Sequence, residues 1–405
     1  MKKQTLFVAG EGGYAGYRIP AAIALPGNRV VVFCEGRLGG LSDYGTIHIL
    51  ARVSTDGGET FGRAFLVAAD GENTVGNPCP VYDRETGVLH LLLNGNLKDG
   101  GEAEILAGNA PRRVLSTCSG DGGATWLPLR DLTGEAKAPN WTWHAMGPGH
   151  GLQLKTGRLL MPCNHALTRA ADSRVRYVSH AMYSDDHGKT WKIGADVGPD
   201  TNECSLADFP DGRVYINMRS YRGEGCRASA ISSDGGETWG EISPERLLPD
   251  PVCQGSVLTV GERLLFTNPA SALRRENLTL KQSRDLGKTW SAAAVIHPGP
   301  AAYSDLAALP GAASAARMNA AMERTLPPPI SKSNGLFLKK RWGRNFREIP
   351  ATVWPDSAVF LSGGSPAGAD SPAGARQHLR HGAAVSGPCG GHAHFRRGRH
   401  GRVSH

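Results

Sequence analysis

Seven polar side chains are the natural place to look for chemistry. Arg18 sits at a strand end between Tyr17 and Ile19-Pro20, and Arg37 follows Cys34-Glu35-Gly36. Asp43 lies in the loop Ser42-Asp43-Tyr44-Gly45. Glu203 stands in Thr201-Asn202-Glu203-Cys204, with Arg219 sixteen residues on. Arg275 belongs to Arg274-Arg275-Glu276-Asn277-Leu278, and Tyr303 opens Tyr303-Ser304-Asp305-Leu306. A guanidinium offers a planar fork of donors that suits a carboxylate. A tyrosine phenol, with an unperturbed pKa near ~10, becomes a nucleophile only beside a base. Each residue also has an ordinary reading. A strand-end arginine is usually a solvated surface group, and an aspartate beside glycine usually forms a turn. Glu203 and Arg219, across one hairpin, share a sheet end, where a charge pair is as often a plain salt bridge as a site. Trp141 and Trp143, near His144 and His150, fit a pocket wall and a buried seal equally well.

What must position these groups is a repeat. The phrase Ser-x-Asp-x-Gly-x-Thr, closed by Trp or Phe, occurs at Ser54–Phe61, Ser119–Trp126, Ser184–Trp191, Ser232–Trp239 and Ser283–Trp290. Spacings of 65, 65, 48 and 51 residues between starts predict an array of supersecondary units. In each phrase the aspartate caps turn N–H groups, the glycine takes a positive φ, and the aromatic plugs into the sheet. These aspartates are therefore structural. Ahead of the first phrase lie short β-branched runs, Ile19–Leu25, Val30–Cys34 and Ile47–Val53. With 53 glycines and 26 prolines, they predict an all-β chain of hairpins.

Charge divides the chain in two. Residues 1–309 hold 31 Lys+Arg against 33 Asp+Glu, a net of −2, whereas 310–405 hold 14 against 4, a net of +10. The basic excess belongs to the tail, so no nucleic-acid partner is expected for the repeat region. The expected organisation is a β domain over 1–309 and a largely disordered Ala/Gly/Pro/Arg/His-rich tail over 310–405. Within that tail, Cys389, His392 and His394 form a clump whose spacing is a weak metal signal, and no metal or other cofactor is expected. Eight cysteines without a CxxC pair suggest free, mostly buried thiols. No apolar run suits a signal peptide or membrane span, which leans toward a cytoplasmic location.

Taken together, Tyr17-Arg18-Ile19-Pro20, the five boxes, Asn202-Glu203, Asn217-Met218-Arg219, Arg275-Glu276-Asn277-Leu278 and Tyr303-Ser304-Asp305-Leu306 resemble the sialidase (neuraminidase) family over roughly residues 5–309. The resemblance implies a six-bladed β-propeller whose N-terminal strand completes the last blade. It implies a retaining exo-α-sialidase that releases terminal sialic acid from sialylated glycoconjugates without a metal. Arg18, Arg219 and Arg275 would hold the substrate carboxylate, and Arg37 would flank the same pocket. That carboxylate would repel a carboxylate nucleophile, and the family uses tyrosine instead. Tyr303 matches the nucleophile, Glu203 its base and Asp43 the general acid, with Glu35 as the competing acid. Two other readings accompany this one: a non-catalytic propeller acting as lectin or scaffold, and a trans-sialidase or related nonulosonic-acid hydrolase. The family's later Tyr-Glu strand, whose Glu holds the first arginine, finds no match after Leu309. An out-of-frame tail is one explanation, and it would leave the last blade without its outer strands.

Overall fold

The computed structural model describes residues 2–168, 175–309, 318–325 and 356–362. They fall within one compact unit, residues 1–366. Almost everything is strand, as the hairpin-rich sequence predicts. Among the described residues the helices are two short turns, Glu102–Leu106 and Thr133–Ala136.

Five hydrogen-bonded sheets follow one another along the chain, six when the two halves of the largest are numbered separately. The largest has eight strands and divides at a parallel contact, Ile47 opposite Thr74, into two antiparallel runs. The first run is built on Gly16–Leu25, Arg29–Arg37 and Ile47–Ser54, the second on Thr74–Asp83, Val88–Asn96 and Arg112–Ser119. A third sheet centres on Leu159–Thr168 and Val175–Ser184. Thr201–Asp208, Val214–Ser220, Cys226–Ser232 and Ser243–Pro249 make the fourth, and Ser256–Val260, Arg263–Pro269, Glu276–Ser283 and Ser291–Pro300 the fifth. The last sheet has the order Ser304–Ala308, Met318–Thr325, Asp356–Ser362, Lys2–Phe7.

This last sheet corrects one expectation. Outer strands that the tail was expected to lack are supplied by 318–325 and 356–362, and the N-terminal strand pairs with the second of these. The compositional break at 309/310 is thus not where strand pairing ends. The rest of the tail, including Cys389, His392 and His394, lies outside the described residues.

Because successive side chains point to opposite faces, each inner strand can feed two cores. In Gly16–Leu25, Ala21 and Ile23 join a cluster with Val75, Leu89 and Leu91 of the second run. Ala22 instead packs with Leu6, Phe7, Ala307 and Leu309 of the last sheet. In Val214–Ser220, Ile216 meets Leu160 and Ala181 of the third sheet, while Tyr215 meets Val257 and Phe266 of the fifth. The fifth meets the last through Leu265, Leu280 and Leu306. These interfaces run from each sheet to the next and return from last to first. Asp305, fully buried, sits where they converge. It accepts from Ala22 N at 2.9 Å, Ser256 Oγ at 2.8 Å and His150 Nδ1 at 2.7 Å. That carboxylate outweighs burial and holds the His150 pKa above its ordinary value.

The five boxed turns behave as their sequence predicts. Each aspartate Oδ1 accepts the threonine N–H at 2.8–2.9 Å, and each serine Oγ accepts the last glycine's N–H at 2.8–2.9 Å. Those glycines have φ of 77–90°, where a Cβ would be strained. The closing aromatics enter the clusters between neighbouring sheets, Trp191 and Trp290 most deeply.

Candidate active site

The boxes lie at one end of the strands and the seven predicted residues at the other. In the first run Ser54 pairs with Val30 beside the first hairpin, whereas Ile47 pairs with Arg37 at the far end. Arg18 belongs to that far end, opposite Glu35. Here regular pairing breaks. The register shifts between Arg18 and Ala21, Gly76 and Cys79, and Thr201 and Cys204. Ile19 and Asn77 carry φ of 55° at two of these breaks, and Val252 and Asn277 carry φ of 58° and 62° on the backbone beside Arg275. For β-branched Ile19 and Val252 such angles cost about 1–3 kcal/mol each. Bulges re-aim neighbouring side chains, and this is how one face acquires a convergent polar set.

The result is a cavity of about 250 Å³ lined by all seven: Arg18, Arg37, Asp43, Glu203, Arg219, Arg275 and Tyr303. Tyr303 is at its floor, with its ring packed on Ile19, Cys253 and Ala302. The phenol donates to Glu203 Oε1. Arg219 Nη1 is 2.7 Å from Glu203 Oε2 and 3.5 Å from the phenol oxygen. The guanidinium carbons of Arg18 and Arg275 each lie 5.9 Å from the Tyr303 ring centroid. Three cations therefore surround one phenol. Burial and the Glu203 carboxylate push the Tyr303 pKa well above the ordinary value, against the pull of Arg219 and Arg275. The resting group is a neutral phenol whose proton already points at a base.

On the opposite wall Asp43 accepts from Arg18 at 2.7 Å and Arg37 at 2.8 Å. Its side chain is 77% exposed yet set in the cavity mouth. Desolvation there works to raise its pKa, but Arg18 and Arg37 prevail and lower it. Glu35 is different. It is buried, accepts twice from Arg37 at 2.6 and 3.0 Å, and accepts the Asn77 N–H at 2.9 Å. Both its oxygens are committed to holding Arg37 and the second run, whereas Asp43 stays exposed at the cavity mouth.

Several lining residues escaped sequence reading. Asn77, Glu102, Arg112, Tyr177 and Tyr221 all face the cavity. Arg112 is buried, stacks over Trp143 at 4.4 Å and donates to Asn96 Oδ1 at 2.7 Å. Tyr177 donates to Glu102, and its ring lies 5.8 Å from that of Tyr221. None stands in a phrase with turn or catalytic chemistry, so no local signal marked them. The two tryptophans divide: Trp143 lines the cavity, whereas Trp141 stacks inside on His165 at 3.7 Å. Gln254 was also unmarked. It clamps the backbone after Tyr303, donating to Ser304 O at 3.1 Å and accepting from Ser304 N at 3.0 Å. Beyond Leu309, Glu323 directly follows Met322, the register partner of Ser304. The strand thus has an acidic residue at the Tyr303 end of the sheet, where the sequence reading found none.

Residues 28–314 match the BNR repeat-like domain model. The chain is 34% identical over 336 residues to a sialidase of Micromonospora viridifaciens, covering 76% of this chain and 50% of that protein. Against sialidase-2 of Cricetulus griseus it is 30% identical over 344 residues, covering 76% and 87%. A Hadza microbial sialidase superposes with a TM-score of 0.71 at 25% identity, over 80% of this chain and 66% of that one. The chain thus belongs to the sialidase family. It spans about half the length of the Micromonospora relative.

Proposed function

We propose that this protein is a retaining exo-α-sialidase that acts on terminal sialic acid of glycoconjugates. The six antiparallel runs would be the blades of a propeller. The observation that carries the reading is the floor of the cavity: a phenol donating to Glu203, with Arg219 3.5 Å from its oxygen and Arg18 and Arg275 flanking its ring.

In this reading Arg18, Arg219 and Arg275 bind the substrate carboxylate through charge-assisted hydrogen bonds. Glu203 takes the phenolic proton as Tyr303 Oη attacks the anomeric carbon. Asp43 protonates the departing glycosidic oxygen. Water, deprotonated by Asp43, then attacks the same carbon and frees Tyr303, whose oxygen takes its proton back from Glu203, so two inversions give net retention. Asp43 must carry a proton in the first step, yet its two arginine partners favour the carboxylate. Substrate binding resolves this conflict. The incoming carboxylate engages Arg18, weakens its hold on Asp43 and lets the Asp43 pKa rise.

The test follows released sugar by proton NMR with a synthetic sialoside. First appearance of the α-anomer supports the reading, and the β-anomer first contradicts it. Trapping with a 3-fluorosialosyl fluoride and peptide mass spectrometry locates the covalent link. A label on any residue but Tyr303 removes the proposed nucleophile. Transfer of the sugar to added lactose in preference to water would make the protein a trans-sialidase.

A further inference from the structure

A second cluster of reactive side chains lies just behind the cavity wall, in the third sheet. Strand His144–Met146 pairs with Leu159–Thr168, which pairs with Val175–Ser184. Met146 is opposite Cys163, Cys163 is opposite His180, and His144 is opposite His165. Since side chains alternate with period two, all five share one face of this sheet. Their neighbours Ala145 and Asn164 face the other way and line the cavity.

All five are buried and inaccessible to solvent. Ligand atoms of His144, Cys163 and His180 lie within 4.8 Å of one another. Met146 Sδ is 3.8 Å from Cys163 Sγ. Neither ring nitrogen of His144 has a hydrogen-bond partner, and His180 Nε2 has none either. Buried polar groups left without a partner are costly and therefore rare. His180 does have a partner for its other nitrogen: Nδ1 is 3.1 Å from His165 Nδ1. His165 Nε2 lies 3.5 Å from Asp196 Oδ1 without a hydrogen bond. With its proton on Nε2, His165 accepts from His180 Nδ1, which turns an Nε2 lone pair of His180 into the cluster. A hydrogen bond to the far nitrogen of a ligating histidine is the usual way it is oriented. Trp141 closes the cluster, stacked on His165 at 3.7 Å.

We propose that His144, Cys163 and His180, with the Met146 thioether as a weak fourth donor, form a binding site for Cu⁺. Two imidazoles, a thiolate and a thioether are the soft donor set that copper favours. Charge selects the monovalent ion over Zn²⁺. Binding replaces the Cys163 thiol proton, which leaves to solvent, with Cu⁺, so the buried site remains neutral. Zn²⁺ at the same three ligands would leave a net positive charge near the buried Arg112 guanidinium, which donates to His144 O at 3.0 Å. Sequence gave no hint, since the ligands are 19 and 17 residues apart and meet only through strand pairing.

The experiment titrates metal-free, full-length protein with Cu⁺ under anaerobic conditions, in competition with bicinchoninate. One tightly held equivalent is expected, with sulfur and imidazole neighbours in its X-ray absorption spectrum. His144→Gln and Cys163→Ser should each lose this equivalent, and Cys389→Ser should keep it. His165→Gln should weaken it by about 10- to 100-fold. Loss in Cys389→Ser, retention in Cys163→Ser, an absorption spectrum without sulfur, or displacement of Cu⁺ by equimolar Zn²⁺ would each overturn the proposal. Should the core variants fail to fold, the wild-type absorption spectrum and the Cys389→Ser titration still decide it. Sialoside turnover plays no part in these readouts, so the outcome is independent of the proposed hydrolase activity.

Discussion

The two ends of the strands are built on opposite principles. At one end five turns repeat with hydrogen bonds that agree to within 0.1 Å, each aspartate capping its own turn. At the other end the first, fourth and fifth units contribute unlike residues: Arg18 and Asp43, Glu203 and Arg219, and Arg275. The boxed turns repeat one hydrogen-bond pattern, whereas at the cavity bulges between Arg18 and Ala21, Gly76 and Cys79, and Thr201 and Cys204 interrupt the pairing. Repetition gives a frame whose parts are locally self-sufficient. Function comes from departures that are costly one by one and tolerable because the frame is rigid.

Substitutions at the two ends should therefore separate activity from stability. The largest effect is expected for Tyr303→Phe, which keeps the ring but removes the proposed attacking oxygen. Its kcat on an aryl sialoside should fall by about 10³-fold or more, with the melting temperature little changed. Asp43→Asn comes next. It should lower kcat by about 10²- to 10³-fold on a sialyl-lactose, and much less on a substrate with a good leaving group. Equal losses on both would remove Asp43 from the acid role. Its lowered pKa in the free protein also fixes a sign: the protonated form thins as pH rises, so kcat/KM should decline toward neutrality. Asp43→Asn should flatten that slope, and Arg18→Ala should move it to higher pH.

Arg275→Lys, which keeps charge but loses the fork, should lower kcat/KM by about 10- to 100-fold. The smallest catalytic effect belongs to the boxed end. Asp234→Asn should leave kcat/KM unchanged while lowering the melting temperature by a few degrees. The Asp56, Asp234 and Asp285 pKa values fall from 3.8 to about 2. Depressed folded-state values mean their stabilisation is present above the unfolded value and is lost as pH falls through about 2. The difference in stability between wild type and Asp234→Asn should accordingly shrink between pH 4 and 2. A difference that persists at low pH would separate this turn from its aspartate's charge.

The sequence made the frame legible because Ser-x-Asp-x-Gly-x-Thr is a local device, solved within eight residues. The seven polar residues were legible only through resemblance, since nothing near Arg18 in the chain announces Glu203 or Tyr303. Tyr177, Glu102 and Arg112 stayed hidden for a related reason. Their roles depend on neighbours such as Tyr221 and Trp143, which meet them only after strands from different units pack. The outer strands of the last sheet were hidden by composition. In Met318–Thr325 and Asp356–Ser362 pairing to a waiting sheet edge decides the structure, not a turn phrase or a charge balance.

Asp305 follows Tyr303 by two residues, and it is the carboxylate onto which the first, third and fifth units converge. The proposed nucleophile is therefore carried by the segment onto which these units converge. Partly assembled chains would have a dormant cleft, so catalytic competence and completion of the architecture would arrive in a single event. A turnover assay run during refolding would then serve as a clock for closure.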